Sequence, residues 1–259
     1  MTKEYNVYVP SGNPTALVIG IEEDMRLRKR INDTIEKKYN IFVEQVGFVN
    51  EDKHDVKLLM AGGEFCGNAA RCAIYYYLDG KPGNIDMDVL GVNLKLRGGI
   101  DDKRNVWVSV PVKKDYIMVN DDNSVMVKLP GITHVIVEYD SLDNDDKAKL
   151  DEYAKKILEK YDLFSEVCAG VMYIKRDGDS IRLLPYVYIR EVNTWFLETA
   201  CGTGTIAFGM YESNRNNRAV DMDIIQPSRK VINIKVDDTL SCATLSGKVT
   251  LYDSGKIIV

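Results

Sequence analysis

The sequence predicts an α/β (α+β) protein made of two similar halves, on three observations. Short alternating or apolar segments, bounded by Gly, Pro, Asn and Asp, recur along the chain as strands and turns do. Two strongly charged stretches carry apolar residues at helical offsets, as surface helices do. And one cysteine-headed element occurs twice, as GEFCGNAARCAIYY (63–76) and ETACGTGTIAFGMY (198–211). Each copy has a Glu two or three residues before a Cys-Gly pair, with small residues and an apolar run after it. A helix that is small or apolar on almost every side is buried. Each half is therefore expected to hold strands, one charged outer helix, more strands and one cysteine-headed inner helix. Such a duplication is too diverged to show as simple repeats.

The elements follow in order. YNVYVPSGNPTALVIG alternates, breaks between Pro10 and Pro14, then resumes, which gives strand, turn, strand. Glu22 to Asn40 reads as a surface helix around Met25, Leu27, Ile31 and Ile35. IFVEQVGFVN and VKLLMAG are strands on either side of the polar turn EDKHD, and the first cysteine element follows. NIDMDVLGVNLKLRGGIDDKRNVWVSVPV reads as an antiparallel meander. From about Lys113 the pattern restarts with strands at YIMV, VMVKLP and THVIVEY, then the charged helix SLDNDDKAKLDEYAKKILEKYDLF. Strands GVMYIKR and SIRLLPYVYI lead to the second cysteine element, and the tail from Lys230 alternates again. No Gly/Ser-rich linker separates the halves, so they are expected to pack closely.

Composition removes several function classes. A net charge of −5 gives no general reason for nucleic acid or an anionic membrane as partner. No apolar run approaches the ~20 residues of a membrane helix, and the start MTKEYNVYVPSGN lacks a signal-peptide pattern. The chain reads as cytoplasmic. Its five cysteines (Cys66, Cys72, Cys168, Cys201, Cys242) then read as free thiols. There is no C-x-x-C pair and there are two histidines, so no metal site is expected.

The twin elements suggest a chemistry. A helix N-terminus offers unpaired N–H groups and partial positive charge, binds a carboxylate and lowers a nearby thiol's pKa. Gly67, Gly202 and Gly204 would let a ligand approach the backbone. Two such termini facing each other would cradle a carboxylate with a thiol on either side. That suits moving a proton on the carbon beside the carboxylate: one thiolate takes it from one face, and the other thiol donates from the opposite face. The scheme needs no cofactor. The plainer alternative is that Cys66 and Cys201 are small buried caps of core helices; two matched copies argue against it. Cys72, Cys168 and Cys242 keep that plainer reading.

EFCGNAAR and ETACGTGT resemble the two active-site motifs of the diaminopimelate epimerase superfamily of cofactor-independent amino acid racemases. PSGN, GITHVIV and SIRLLPYVYIRE resemble further family segments, in the same order over nearly the full length. The resemblance implies a diaminopimelate epimerase-like fold: two pseudo-symmetric domains, each a β-sheet wrapped round a central helix, with a cleft between them. It implies residues 1–112 plus about 247–259 as the first domain and 113–246 as the second. Cys66 and Cys201 would be the acid/base pair, with His134 as partner of the first and Glu191 of the second. Where diaminopimelate epimerases use asparagines to read the far end of their substrate, this chain has Met60, Ile132 and Cys168. The closer likeness is to the histidine racemases of the superfamily, through PSGN, EQVGF and EFCGNA. On that likeness Glu44 would hold an imidazole, Asn13 and Asn68 would contact the substrate's backbone end, and Thr203 and Gly204 would supply N–H groups. Solvated carboxylates remain the alternatives for Glu44 and Glu191, and a helix-surface charge the reading for Arg71. Histidine racemase is the expected activity. Diaminopimelate epimerase or a non-catalytic amino acid-binding protein is the alternative, and a homodimer is an open assembly.

Overall fold

The computed structural model describes residues 2–40, 42–120, 124–139 and 147–259. The first half runs β1 (Thr2–Pro10), β2 (Thr15–Ile19), α1 (Met25–Lys38), β3 (Gln45–Val49), β4 (Lys57–Met60), α2 (Gly67–Tyr77), β5 (Gly83–Val89), β6 (Leu94–Ile100) and β7 (Val106–Pro111). A short β8 (Ile117–Val119) leads into β9 (Val125–Leu129), β10 (Ile132–Glu138), α3 (Lys147–Lys160), β11 (Cys168–Asp177), β12 (Ser180–Ile189) and β13 (Thr194–Leu197). Then come α4 (Gly202–Asn216), β14 (Val220–Ile225), β15 (Val231–Val236), β16 (Cys242–Gly247) and β17 (Val249–Ile258).

The pairings repeat between the halves. β1–β2 is antiparallel and β2–β3 parallel across α1; β9–β10 and β10–β11 do the same across α3. β3–β4 is antiparallel and β4–β5 parallel across α2; β11–β12 and β12–β14 match them across α4. The antiparallel runs β5–β6–β7 and β14–β15–β16 follow. β7 and β16 pair antiparallel and join the two halves into one large sheet. At the outer ends β17 pairs with β1 and β8 with β9. β13 pairs with β12 and is an addition to the second half.

Local chemistry explains the element boundaries. α1 starts at Met25 rather than Glu22 because the Asp24 carboxylate accepts from the N–H groups of Arg26 and Leu27, an N-cap. Its buried positions, Arg28, Ile31, Asn32 and Ile35, form one stripe. α3 begins at Lys147; the first six residues of its expected range, 141–146, lie outside the described residues. It buries Leu150, Ala154 and Leu158 over a separate apolar cluster with Val171 and Tyr173. β13 and β14 are strands beyond those expected from the sequence, although VDMDI of β14 alternates apolar and acidic residues. α2 and α4 are buried along most of their length, α2 against β1, β2, β6 and β7 and α4 against β9, β10, β15 and β16. Among the described residues no helix is long and apolar enough to cross a membrane.

Candidate active site

Cys66 and Cys201 are the N-caps of α2 and α4, with nearly identical backbones: φ −125° and ψ 110° for Cys66, φ −125° and ψ 109° for Cys201. Each sulfur accepts from the N–H three residues on, Cys66 Sγ from Ala69 at 3.4 Å and Cys201 Sγ from Gly204 at 3.3 Å. The two helix starts touch. A Cβ on Gly202 would lie 3.0 Å from the Asn68 nitrogen and 3.1 Å from the Gly67 carbonyl carbon, so this approach requires glycine. Asn68 Nδ2 crosses the contact to donate to the Ala200 carbonyl at 3.0 Å. Helical geometry leaves the first-turn N–H groups of both helices without intrahelical acceptors. Here they converge on one place.

That place is a narrow cavity with room for about one water molecule. Cys66, Asn68, Cys201, Gly202 and Thr203 line it from the helix starts. Ile132, Cys168, Val187 and Ile189 supply an apolar side, and Gln45, Glu64 and Glu198 complete it. No lysine or arginine is among the lining residues, although two carboxyls are. Glu64 and Glu198 are 3% and 4% exposed. Burial pushes the Glu64 carboxyl up to about 7, eased by backbone N–H groups of Glu64 and Gly62. Burial and then the neighbouring Glu44 charge push Glu198 up to about 8. Glu198 accepts from Gln45 Nε2 at 2.7 Å and is near enough to the Cys201 thiol for its charge to raise it. Both catalytic-candidate thiols are pushed up, first by burial and then by the Glu198 charge, and are pulled back by the N–H groups that cap their sulfurs.

The expected site residues are not all brought to the cavity. Thr203 is: its hydroxyl lies 3.6 Å from Cys201 Sγ and 2.9 Å from His134 Nε2. His134 is therefore placed behind Thr203, on the side of the second cysteine and not the first. Burial drives its pKa down to about 3, so it is a neutral imidazole. Glu44 does not face the cavity. Its carboxylate accepts from Thr199 Oγ1 at 2.5 Å, from the Thr199 N–H at 3.0 Å and from Asn13 Nδ2 at 2.9 Å. The Asn13 N–H in turn donates to Thr199 Oγ1 at 2.6 Å. Asn13 and Glu44 thus form a buried tie between the halves, with their hydrogen-bonding capacity spent on protein. Glu191 lies outside the cavity on a turn, half-buried, accepting from Arg190 Nη2 at 2.7 Å; its charge is satisfied by its chain neighbour. Arg71 is no surface charge: it is fully buried, donating to Asn68 Oδ1 at 2.7 Å and the Pro10 carbonyl at 3.1 Å. It holds Asn68 against the second half.

Sequence reasoning missed Glu64, Glu198 and Gln45 and kept Cys168 as packing. The signal for two of them was present, since a Glu precedes the Cys-Gly pair in both copies. Gln45 was hidden by its neighbour Glu44, because successive strand residues face opposite sides.

The family model described as "Histidine racemase CntK N-terminal domain" matches residues 4–258. A histidine racemase of Fusobacterium nucleatum is 29% identical over 96% of this chain and 94% of its own length. One of Staphylococcus aureus is 26% identical over 99% of this chain and 97% of its own. Among solved structures, a hydroxyproline epimerase from Agrobacterium vitis with bound trans-4-hydroxy-L-proline superposes with TM-score 0.67 at 11% identity, covering 99% of this chain and 91% of that one. A PhzF-family protein from Bacillus anthracis gives TM-score 0.66 at 11% identity, with both chains fully covered. The likeness to these two is one of fold. With twin cysteine-capped helices meeting over one cavity and a family match along its length, the chain belongs to the histidine racemase family of isomerases.

Proposed function

We propose that this protein racemises histidine without a cofactor, by a two-base thiol mechanism. The observation that carries the reading is the pair of cysteine-capped helix starts in contact over a shared cavity. The substrate carboxylate is held by the first-turn N–H groups of Gly67, Asn68, Gly202 and Thr203, where both helix dipoles favour negative charge, while the expected donor Gly204 gives its N–H to Cys201 Sγ instead. The α-carbon then lies between the sulfurs. One cysteine, as thiolate, takes the α-proton, and the other, as thiol, gives its proton to the opposite face. The product has the inverted configuration, and the thiol and thiolate have exchanged places. Charge spreading onto the substrate carboxylate in the transition state meets N–H groups already in position.

The raised thiols fit this scheme. In the empty cavity, burial above all holds Cys66 and Cys201 protonated. A bound amino acid brings an ammonium beside Glu198. That positive charge favours the thiolate, against the burial that opposes it. Gln45 and Glu198 hold that ammonium, Thr203 and His134 position Cys201, and Arg71 positions Asn68. Asn13 and Glu44 tie the halves together at the rim. The domains are 1–112 with about 247–259, and 113–246, in a diaminopimelate epimerase-like arrangement around α2 and α4. The pairing of β17 with β1 and the repeat of the pairings support this division.

NMR in D2O on a panel of L-amino acids, including histidine and diaminopimelate, tests the reading. Loss of the α-proton signal of histidine with appearance of D-histidine is the expected result. Loss for diaminopimelate in place of histidine replaces the substrate, and no loss for any member removes the racemase reading.

A further inference from the structure

We propose that Glu64 is the specificity-determining residue, its open carboxylate oxygen accepting a hydrogen bond from a ring N–H of the substrate side chain. The inference rests on the racemase reading, which puts the substrate's α-carbon between the two sulfurs.

It starts from a mismatch of charges. A simple amino acid zwitterion brings one carboxylate and one ammonium. The helix starts take the carboxylate. The cavity then offers two buried carboxyls, Glu64 and Glu198, with no lysine or arginine among its lining residues. The ammonium is bonded directly to the α-carbon, so it reaches the carboxyl beside a sulfur. That is Glu198, which lines the cavity with Cys201 and whose charge acts on its thiol. Glu64 is left over.

Glu64 is also the carboxyl with capacity to spare. Its Oε2 is buried and has no hydrogen-bond partner, whereas Glu198 already accepts from Gln45. A buried carboxyl oxygen without a donor is costly in a folded protein. The nearby cation, Arg28, is occupied with the carbonyls of Ala61, Glu22 and Glu23. A missing donor is the ordinary explanation of such a vacancy, and the cavity is where a donor can arrive.

The surroundings narrow the donor. Glu64 Oε2 and Ile189 Cγ2 each lie 2.6 Å from where a Cβ on Gly62 would be, so that oxygen is packed against Gly62 and beside Ile189, one of the apolar residues lining the cavity. Ile132, Val187 and Cys168 also line the cavity. Apolar walls with one acceptor suit a flat, largely apolar group carrying an N–H. A carboxylate-ended side chain would meet a like charge there. An aliphatic one would fill the space and leave Glu64 unpaired.

The experiment compares L-histidine with L-β-(2-thienyl)alanine, whose five-membered ring has similar size and no N–H. Binding is followed by NMR titration and α-proton exchange in D2O, in wild type, Glu64→Leu and Glu64→Gln. Wild type is expected to prefer histidine by roughly 100-fold or more, because a site with a buried polar group rejects the analogue that leaves it unpaired. Glu64→Leu is expected to weaken histidine by about the same factor while thienylalanine stays within about threefold. Glu64→Gln keeps an acceptor and is expected to lose roughly tenfold for histidine. A wild type without preference overturns the proposal, as does either folded variant that keeps it or that loses both ligands equally. Glu64→Gln decides alone where Glu64→Leu does not fold. A wild type that binds histidine but exchanges no α-proton ends the racemase reading, while the binding ratio still decides the role of Glu64.

Discussion

The starts of α2 and α4 share a backbone and differ in nearly everything around it. Their caps agree within a degree in φ and ψ, and their sulfurs accept from the same relative N–H. Yet α2 carries Arg71 where α4 carries Ile206, and Asn68 where α4 carries Thr203. Cys201 is buried and flanked by Thr203, with Gln226 Oε1 accepting from its N–H at 3.0 Å; Cys66 is half-buried. The carboxyls differ too: Glu64 precedes its cysteine by two residues and Glu198 by three, so they reach the cavity from non-equivalent positions. On the proposed mechanism, duplication has kept the part that needs symmetry, two thiols on opposite faces of one carbon. It has released the part that needs asymmetry, because a chiral substrate presents different groups to each side.

Four measurements test how far the likeness of the two helix starts extends. The largest effect is expected from Cys66→Ser and Cys201→Ser, each lowering histidine racemisation by about 10³-fold, in the range of a lost general acid or base. Near-full activity in either variant, read by circular dichroism of the substrate, would end the equivalence of the two caps. Next is Glu198→Gln. Burial lifts the Glu198 carboxyl from its ordinary 4.5 to about 8, so between those values the folded state holds a proton that the unfolded chain has released. The stability this contributes is complete below the lower value and is lost as pH rises through the upper one. Glu198→Gln should therefore be the more stable protein at pH 9, by on the order of 3 kcal/mol, with the difference gone near pH 4. Urea unfolding at pH 4, 7 and 9 checks the sign, and a constant difference would contradict it.

A smaller, one-sided effect is expected from Arg71→Met. Arg71 is a buried cation near the Cys72 and Cys66 thiols, Cys72 first, and it has no counterpart in α4. The pH at which Cys66 is alkylated by iodoacetamide should rise by about one unit, with Cys201 unmoved. Equal shifts at both, resolved by mass spectrometry, would show that Arg71 acts on the cavity as a whole. The smallest effect separates the glycines. Gly202→Ala drives a Cβ to 3.0 Å from the Asn68 backbone nitrogen, while Gly67→Ala meets the flexible end of Leu245 at 2.7 Å. Gly202→Ala should cost about 1–3 kcal/mol and Gly67→Ala less, measured by thermal unfolding. The reverse order would show that the helix contact yields more easily than Leu245.

Much of the fold was legible because its signals are local. Alternation marked most strands, and helical spacing marked α1 and α3. The twin cysteine elements marked α2 and α4 and, with them, Cys66 and Cys201. The rest depends on contacts the chain makes far from itself. Glu44 reads as a free carboxylate until Thr199 arrives from 155 residues away. His134 sits beside Thr203, not Cys66, because the register of β10 decides which residues face α4. Arg71 reads as a surface charge by type, and is buried because its helix is enclosed on all sides. Glu191 satisfies itself locally with Arg190, which residue type alone does not announce.

The pairing of β17 with β1 has a consequence for the order in which the molecule is made. Thr2 lies opposite Ile258 and Tyr5 opposite Gly255, so the outermost strand of the first half is supplied by the last stretch of the sequence. A ribosome delivers α2, β7 and the whole second half before β1, paired with β2 on one side, has its second neighbour. Until then β1 exposes an open edge, the kind of surface on which chains join one another. Contacts between such distant residues also slow folding, since a long loop must close before they form. Growth at low temperature or with abundant chaperones should therefore raise the soluble yield of any variant that weakens the β1–β17 seam, even where the active site is untouched.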